Sequence, residues 1–442
     1  MKGTRGIICS VLISGLLLLA SCASFSSGLE SAQATTTPPA DIPNAILPFR
    51  ITWKEYSGRG EAIRLIIDAY NSTREDGFNV SVLGGDEDQA TVEQMLVDQP
   101  DTVFVLPYRF VQYFGDRGLL MDLTTDFEQD SQSFYPEVWS LGTVDDSLFG
   151  IPWLGHTMCL LYNRDLLDEA GVDPSSITDT ESFAAALAAV TENTESFGIG
   201  LVGAESNDVS WMVNQFIYGF GSSLVDATGT QVTINNDKSA QALHYYKDTL
   251  AAYAQPTWMD DKGTEVMEYF REGKIAFEIQ GIWGVTDVEK NGAPFPVGVL
   301  SMSNIGMRSE VGPMMVVIPA GMQESLVSDA VDLIRYLISK PAQEQIMNGE
   351  YSPEHDTFYP FRIPIRKDMS DTAYFTAHPE YAVFIDEFSN PSIDVPVPAW
   401  QTVKETIYQK GLHQVMTEEM TVEEFLAMVE EEGTPLLSSE AS

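Results

Sequence analysis

Phe149-Gly150-Ile151-Pro152-Trp153-Leu154-Gly155-His156-Thr157-Met158-Cys159-Leu160-Leu161-Tyr162-Asn163-Arg164-Asp165 opens on a tight Gly-Ile-Pro turn, continues as an apolar, β-prone run, and ends where a helical pattern begins at Asp165. The run reads as one buried strand, and a strand of this kind can join two lobes. Trp153 and His156, near its start, then face whatever lies between the lobes. The same residues suit an ordinary buried strand after a loop, so the surrounding chain has to decide.

At 442 residues the chain exceeds what one core normally serves and fits two domains. Hydrophobic residues make up 44% and charged residues 20%, a globular composition. Lys plus Arg number 24 against 65 Asp plus Glu, a formal net charge of -41. Phosphate backbones would repel such a surface, which excludes a nucleic-acid partner and disfavours flat binding to an anionic membrane.

The N-terminus carries Lys2 and Arg5, then an apolar stretch over 7–20 too short to span a bilayer as a mature helix. Leu19-Ala20-Ser21-Cys22 follows and resembles the lipobox of bacterial lipoproteins, which predicts a signal peptide over 1–22 and a lipid on Cys22. Residues 23–48 are rich in Ser, Ala, Thr and Pro and read as a tether reaching about 25 to 30 Å. Cys9 leaves with the signal and Cys22 takes lipid, so Cys159 stands alone, a small buried residue with no disulfide partner.

Beyond the tether, strands are predicted over 49–53, 78–82 and 101–106, alternating with helices over 61–72 and 92–97. Such alternation argues for a parallel sheet, whose ligands sit beyond the strands' carboxyl ends. Glu55, Arg59, Tyr108 and Arg109 lie there, although Glu55 and Arg59 suit a plain surface ion pair equally well. A second α/β region follows the opening stretch. It holds a helix over 211–218 with Trp211 and Asn214 near its start, and a strand over 273–279 running into Gln280-Gly281-Ile282-Trp283. A strand over 297–300 and an amphipathic helix over 328–339 complete it.

Four motifs in this order resemble the bacterial ABC-transporter extracellular solute-binding proteins of the sugar-binding, maltose-type class. They are Phe149-Gly150-Ile151-Pro152 with Leu161-Tyr162-Asn163-Arg164-Asp165-Leu166-Leu167; Phe270 with Gly273-Lys274-Ile275-Ala276-Phe277 and Gly281-Ile282-Trp283; Pro100-Asp101-Thr102-Val103 with Gly118-Leu119-Leu120-Met121-Asp122-Leu123; and Pro398-Ala399-Trp400. The resemblance covers roughly 49–432. It implies a two-lobed, type II periplasmic-binding-protein-like α/β fold, each lobe a mixed, mainly parallel sheet flanked by helices. The lobes are expected over 49–155 plus 300–358 and over 156–299 plus 359–435, with a tail at 436–442. Crossovers acting as a hinge are expected within 153–158, near 297–302 and around 359–364, the last carrying Arg362.

A sugar offers C–H faces that stack on aromatic rings and hydroxyls that need paired donors and acceptors. The resemblance therefore implies ligand contacts from Trp211, Trp283 and Trp400, with Trp153 added from its place after Gly-Ile-Pro, and from Asn214, Gln280 and Arg362. Arg109 matches a polar position after the third strand. Tyr108 stands where the family often has Asp, and His156 where maltose-type proteins tend to carry Glu. Trp53 and Trp211 suit simple packing as well.

The implied function is capture of a mono- or oligosaccharide between the lobes and delivery to ABC permease subunits. A monomer is expected, lipid-anchored to the outer face of the cytoplasmic membrane, without cofactor, metal or catalysis. No Gly-x-Ser-x-Gly elbow, His-Glu-x-x-His pair, P-loop or cysteine-rich metal cluster is present in the sequence. A peptide, polyamine or other cationic solute, a surface adhesin, and a glycan-acting enzyme are the alternatives.

Overall fold

The computed structural model describes residues 45–85, 88–291 and 295–440. The expected signal peptide, the expected lipidation site Cys22 and the expected tether up to residue 44 lie outside the described residues. From residue 45 the chain runs β1 (Ala45–Arg50), a helix Gly58–Ser72, β2 (Asn79–Leu83), a helix Gln89–Asp98, β3 (Val103–Pro107) and a helix Tyr108–Asp116. The Ser57 side chain caps the first helix by accepting from the Gly60 N–H, and Ile63, Ile66, Ile67 and Tyr70 form its buried stripe. Strand β1 pairs in parallel with both β2 and β3. Their carboxyl ends, and the residues Tyr108 and Arg109 that follow β3, therefore share one edge of the sheet.

Apart from two short hairpins, Thr143–Val144 with Ser147–Leu148 and Glu350–Ser352 with Thr357–Tyr359, the strands that follow are β4 (Ile151–Gly155), β5 (Cys159–Asn163), β6 (Phe197–Ile199), β7 (Ile275–Gln280), β8 (Val297–Leu300), β9 (Ser309–Val311), β10 (Met314–Val317), β11 (Ile363–Pro364) and β12 (Pro391–Ile393). A six-stranded sheet has the order β11-β4-β10-β3-β1-β2, with β10 antiparallel to both β3 and β4. A four-stranded sheet has the order β8-β5-β7-β6, antiparallel except for β6 beside β7. Between them, β9 and β12 form a short parallel ribbon.

The opening stretch is thus two strands. Strand β4 belongs to the six-stranded sheet and β5 to the four-stranded one, and the chain passes between them at 156–158. Every residue of both strands is buried, so no alternation marks where one ends and the other begins. The break is made by tertiary contacts: Thr157 bridges to Val311 and its hydroxyl donates to the Phe384 carbonyl at 2.6 Å.

A second passage runs alongside the first. The Met158 N–H donates to the Glu310 carbonyl at 3.1 Å and the Gly312 N–H to the His156 carbonyl at 3.2 Å. The Ser309 hydroxyl accepts from the Met158 N–H and donates to the Met158 carbonyl, both at 2.8 Å. Gly312 is required here, because a Cβ at that position would lie 2.0 Å from the His156 ring.

Several sequence boundaries shift. Residues 45–48, read as tether, belong to β1, where Leu47 is fully buried, and Trp53 falls beyond the strand. Residues 297–300 stay in the four-stranded sheet, and the chain leaves it only afterwards, through a 3-10 turn at Met302–Ile305. Ile363–Pro364 pairs with β4, so this part of the expected third crossover lies in the six-stranded sheet, not with 359–435. The expected tail from 436 continues a helix that runs from Val422 to Glu440, with Leu437 buried. Cys159 is fully buried in β5 and burial pushes its thiol well up, which suits a core residue.

Glu387 fastens the second passage where it leaves β8. Its carboxylate, almost wholly buried, accepts from the Met302 N–H at 2.9 Å. Burial pushes the group up to about 7 from an ordinary 4.5, against the opposing hydrogen bonds from Ser301 and Met302. A raised acid stabilises the fold fully below the unfolded value and loses that contribution as pH rises through the folded one. Relative to Glu387→Gln, the wild type is therefore expected to lose about 3 kcal/mol between pH 4.5 and pH 7 and nothing further above it. Urea unfolding of both proteins across that range checks this, and a pH-independent difference between them would refute it.

Candidate functional site

Strand β7 ends at Gln280 and the helix Ile282–Lys290 begins with only Gly281 between them. The indole of Trp283 folds back over Gly281, where a Cβ would come within 2.2 Å of the ring. This is the physical content of the Gly-x-Trp pattern: the glycine leaves room for the ring. Trp283 meets the His156 ring edge-on at 5.6 Å and the Phe361 ring at 6.1 Å. Phe361 in turn carries the Arg59 guanidinium 3.4 Å from its centroid and the Arg362 guanidinium at 4.3 Å.

These rings form one end of a cleft of about 1300 Å³ between the two sheets. At its other end the helix Asn207–Gly219 presents Trp211 and, three residues on, Asn214 on the same face. The Trp211 indole N–H donates to Asp208 at 3.2 Å, and the other oxygen of Asp208 accepts from the Gly263 N–H at 3.0 Å. The Asn214 carbonyl oxygen accepts from the buried Tyr408 hydroxyl at 2.7 Å, which leaves its amide nitrogen for a ligand.

Of the residues expected from sequence, Arg59, Tyr108, Arg109, His156, Trp211, Asn214, Gln280, Trp283 and Arg362 line this cleft. Three do not. Trp153 is fully buried against Phe49 at 5.4 Å, because both faces of β4 are covered. Trp400 is also fully buried, against Tyr408, and reaches the cleft only through its N–H, which donates to Asp394 at 3.1 Å. Glu55 sits in the turn before the first helix, outside the cleft, and the partner of Arg59 is instead Glu350 at 3.1 Å.

Cleft residues that no sequence pattern announced include Asp208, Glu310, Phe361, Asp394 and Lys404. Asp394 accepts from Lys404 at 2.6 Å as well as from Trp400, and its carbonyl accepts from the Tyr108 hydroxyl at 2.8 Å. Glu310 meets His156 Nε2 at 2.9 Å. The adjacency of Phe361 to Arg362 was the one usable signal among these positions.

Gln280 is nearly buried, its side-chain oxygen accepting from the Gly281 N–H at 3.2 Å. Arg362 is partly buried, and its guanidinium donates to the Phe361 carbonyl at 3.2 Å while its Nε has no partner. Burial and the neighbouring Arg59 charge push Arg362 down from its ordinary value, with Glu310 opposing, yet it remains a cation at neutral pH. The cleft thus combines half-buried aromatic rings with acidic, basic and amide groups, an arrangement suited to binding a polar molecule with apolar faces. Among the described residues no cluster could hold a metal ion, and no helix is long and apolar enough to cross a membrane.

Comparison with known proteins agrees with this architecture. The maltodextrin-binding protein MdxE of Bacillus subtilis is 24% identical over 290 residues, 61% of this chain and 64% of that protein. An arabinooligosaccharide-binding protein of the same organism is 25% identical over 198 residues, 45% of this chain and 42% of its own length. The chain thus matches less than two thirds of the length of these relatives. The sugar-binding protein MalE from Xanthomonas citri superposes with a TM-score of 0.74 at 16% identity, covering 90% of this chain and 98% of that one, which establishes a type II periplasmic-binding-protein fold. Residues 66–383 match the family described as bacterial extracellular solute-binding protein, and the chain belongs to that family.

Proposed function

We propose that the protein captures an oligosaccharide in the cleft between its two sheets, closes around it, and delivers it to the permease of an ABC importer without altering it. The observation that carries this reading is the placement of two half-buried tryptophans, Trp283 and Trp211, in the lining of one cleft that also carries acidic, basic and amide side chains. Pyranose and furanose faces stack on such rings while their hydroxyls pair with carboxylates, amides and guanidinium groups. A volume of about 1300 Å³ exceeds the ordinary range for small-ligand pockets, about 300–1,000 Å³, and favours several sugar units over one. The names of the maltodextrin- and arabinooligosaccharide-binding relatives support the same class.

The lobes of this reading are the two sheets with their flanking helices, and the paired passages at 156–158 and 309–312 serve as the hinge. Closure is favoured by ligand because only the closed state lets one molecule touch both walls. The family is extracellular, which makes the protein an exported one. Leu19-Ala20-Ser21-Cys22 supports anchoring by lipid to the outer face of the cytoplasmic membrane, with the folded part acting as a monomer.

Calorimetric titration with maltodextrins and arabinooligosaccharides, beside peptides and polyamines, tests the ligand class. Saccharide binding without turnover is expected. Trp283→Ala and Trp211→Ala should each weaken it at least tenfold, about 1.4 kcal/mol. Binding confined to peptides or polyamines, or saccharide affinity untouched by both substitutions, would overturn the assignment. Gly281→Ala should act on affinity through Trp283: the added methyl displaces the ring, so saccharide binding falls as in Trp283→Ala while far-ultraviolet circular dichroism stays native. Wild-type affinity in Gly281→Ala would show that the ring's position over Gly281 is not needed.

A further inference from the structure

A recess of about 290 Å³ opens off the cleft beneath the carboxyl ends of β1 and β3. It shares Tyr108, Arg109, Phe110, His156, Gly312 and Arg362 with the cleft and adds Arg50 at its inner end. Among the described residues, its charged lining consists of Arg50, Arg109 and Arg362, with His156 beside them and no carboxylate. This composition runs against that of the chain, in which acids outnumber Lys and Arg by 65 to 24.

The groups in the recess are incompletely satisfied. Arg50 donates from one terminal nitrogen to the Gly84 carbonyl at 3.2 Å, and its Nε is buried without a partner. Arg362 donates to the Phe361 carbonyl, and its Nε is likewise buried and unpartnered. Arg109 is exposed at the recess mouth, near the Phe110 ring, and forms no ion pair among the described residues. His156 Nε2 is engaged by Glu310, and its Nδ1 is buried without a partner.

Like charges gathered in one recess, with the buried Nε groups of Arg50 and Arg362 left unpaired, cost free energy unless an anion completes them. Guanidinium groups are the side chains best matched to carboxylate, sulfate and phosphate oxygens. A neutral sugar needs donors and acceptors in similar number, whereas the charged lining of this recess supplies only donors.

We propose that this recess is a subsite for an anionic group carried by the captured saccharide, so that the natural ligand is an acidic glycan. The inference rests on the saccharide reading of the cleft and deepens it. One end of the ligand places its carboxylate, sulfate or phosphate among Arg50, Arg109 and Arg362, while its neutral units extend along Trp283 toward Trp211. The recess has room for a terminal unit and not for a whole oligosaccharide.

The test compares matched disaccharides and trisaccharides of glucose and of galactose, in which the terminal unit is neutral, a uronate, a 6-sulfate or a 6-phosphate. Calorimetry on the full-length protein should show at least one acidic form binding 100-fold or more tighter than its neutral counterpart, and which form does so identifies the anion. In Arg50→Gln and in Arg109→Gln the ratio of acidic to neutral affinity should fall at least tenfold. Arg109 is exposed, so its substitution keeps the test valid should Arg50→Gln misfold. Neutral saccharides binding as tightly as every acidic counterpart, or a ratio unchanged in Arg109→Gln, would overturn the subsite and leave the saccharide reading intact. Failure of neutral and acidic saccharides alike would overturn both.

Discussion

The rest of the structure depends on the pairing of two backbone passages, 156–158 against 309–312, at the junction of the two sheets. The first would have little backbone support by itself, whereas the second is also held on its other side by β12. Side by side they satisfy each other's amides and carbonyls, with the Ser309 hydroxyl serving both the N–H and the carbonyl of Met158. The ribbon is also chemically part of the cleft, because His156 and Glu310 meet across it at 2.9 Å and both line the cavity. Gln215, from the helix that carries Trp211 and Asn214, accepts from the Glu310 N–H at 3.1 Å. A movement of one sheet against the other would therefore be felt at Glu310, and through it at His156 and Trp283.

Why some of this was legible in the sequence, and some not, follows from what each feature leaves in the residue pattern. The alternation of strand and helix over 49–106 is visible because each helix buries one apolar stripe and the strands between are short β-prone runs. The start of β1 is hidden because Pro48, lacking an N–H, reads as tether when it stands in a central strand. The break between β4 and β5 is hidden for a different reason: both strands are buried on both faces, so a largely apolar run with only His156 and Thr157 between its halves covers two strands in two sheets. Tryptophan is ambiguous in the same way. Trp283 is legible because Gly281 before it leaves room for a ring, whereas Trp153 and Trp400 have no such mark, and tertiary packing places them in the core. Partners such as His156 and Glu310, 154 residues apart, are joined by topology and leave no local trace.

The same topology explains why the cleft carries a larger share of cations than the chain as a whole, although acids still outnumber them there. Much of the acidic surplus lies on solvated surface, where carboxylates cap helices, as Asp173 and Asp179 do. The cleft sets cations from distant segments among its own acids: Arg59 in the first turn of the first helix, Arg109 after β3, Lys290 at the end of the Trp283 helix, and Arg362 before β11, beside Asp208, Asp287, Glu310 and Asp394. Two of these cations share one acid. Glu350 lies 3.1 Å from Arg59 and 3.0 Å from Lys290. Burial alone would raise its carboxyl, but Lys290 and Arg59 outweigh that and hold it below its ordinary value.

That shared acid spans the cleft, since Arg59 rides on a helix packed against β1 and β2, and Lys290 on a helix packed over β7. The Thr286 hydroxyl donates to the Pro360 carbonyl across the same gap. Both contacts are partly open to solvent, and ion pairs in such surroundings contribute about 0–1 kcal/mol each. A latch of this strength holds the walls near one another without locking them. A ligand that touches both walls needs only a differential affinity of a few kcal/mol to shift the balance between open and closed forms, and the stacking and charge contacts available in the cleft are of that size. Weak bonds across the cleft and the paired, buried backbone bonds along 156–158 and 309–312 therefore serve one purpose: the walls can part while the passages that join them stay together.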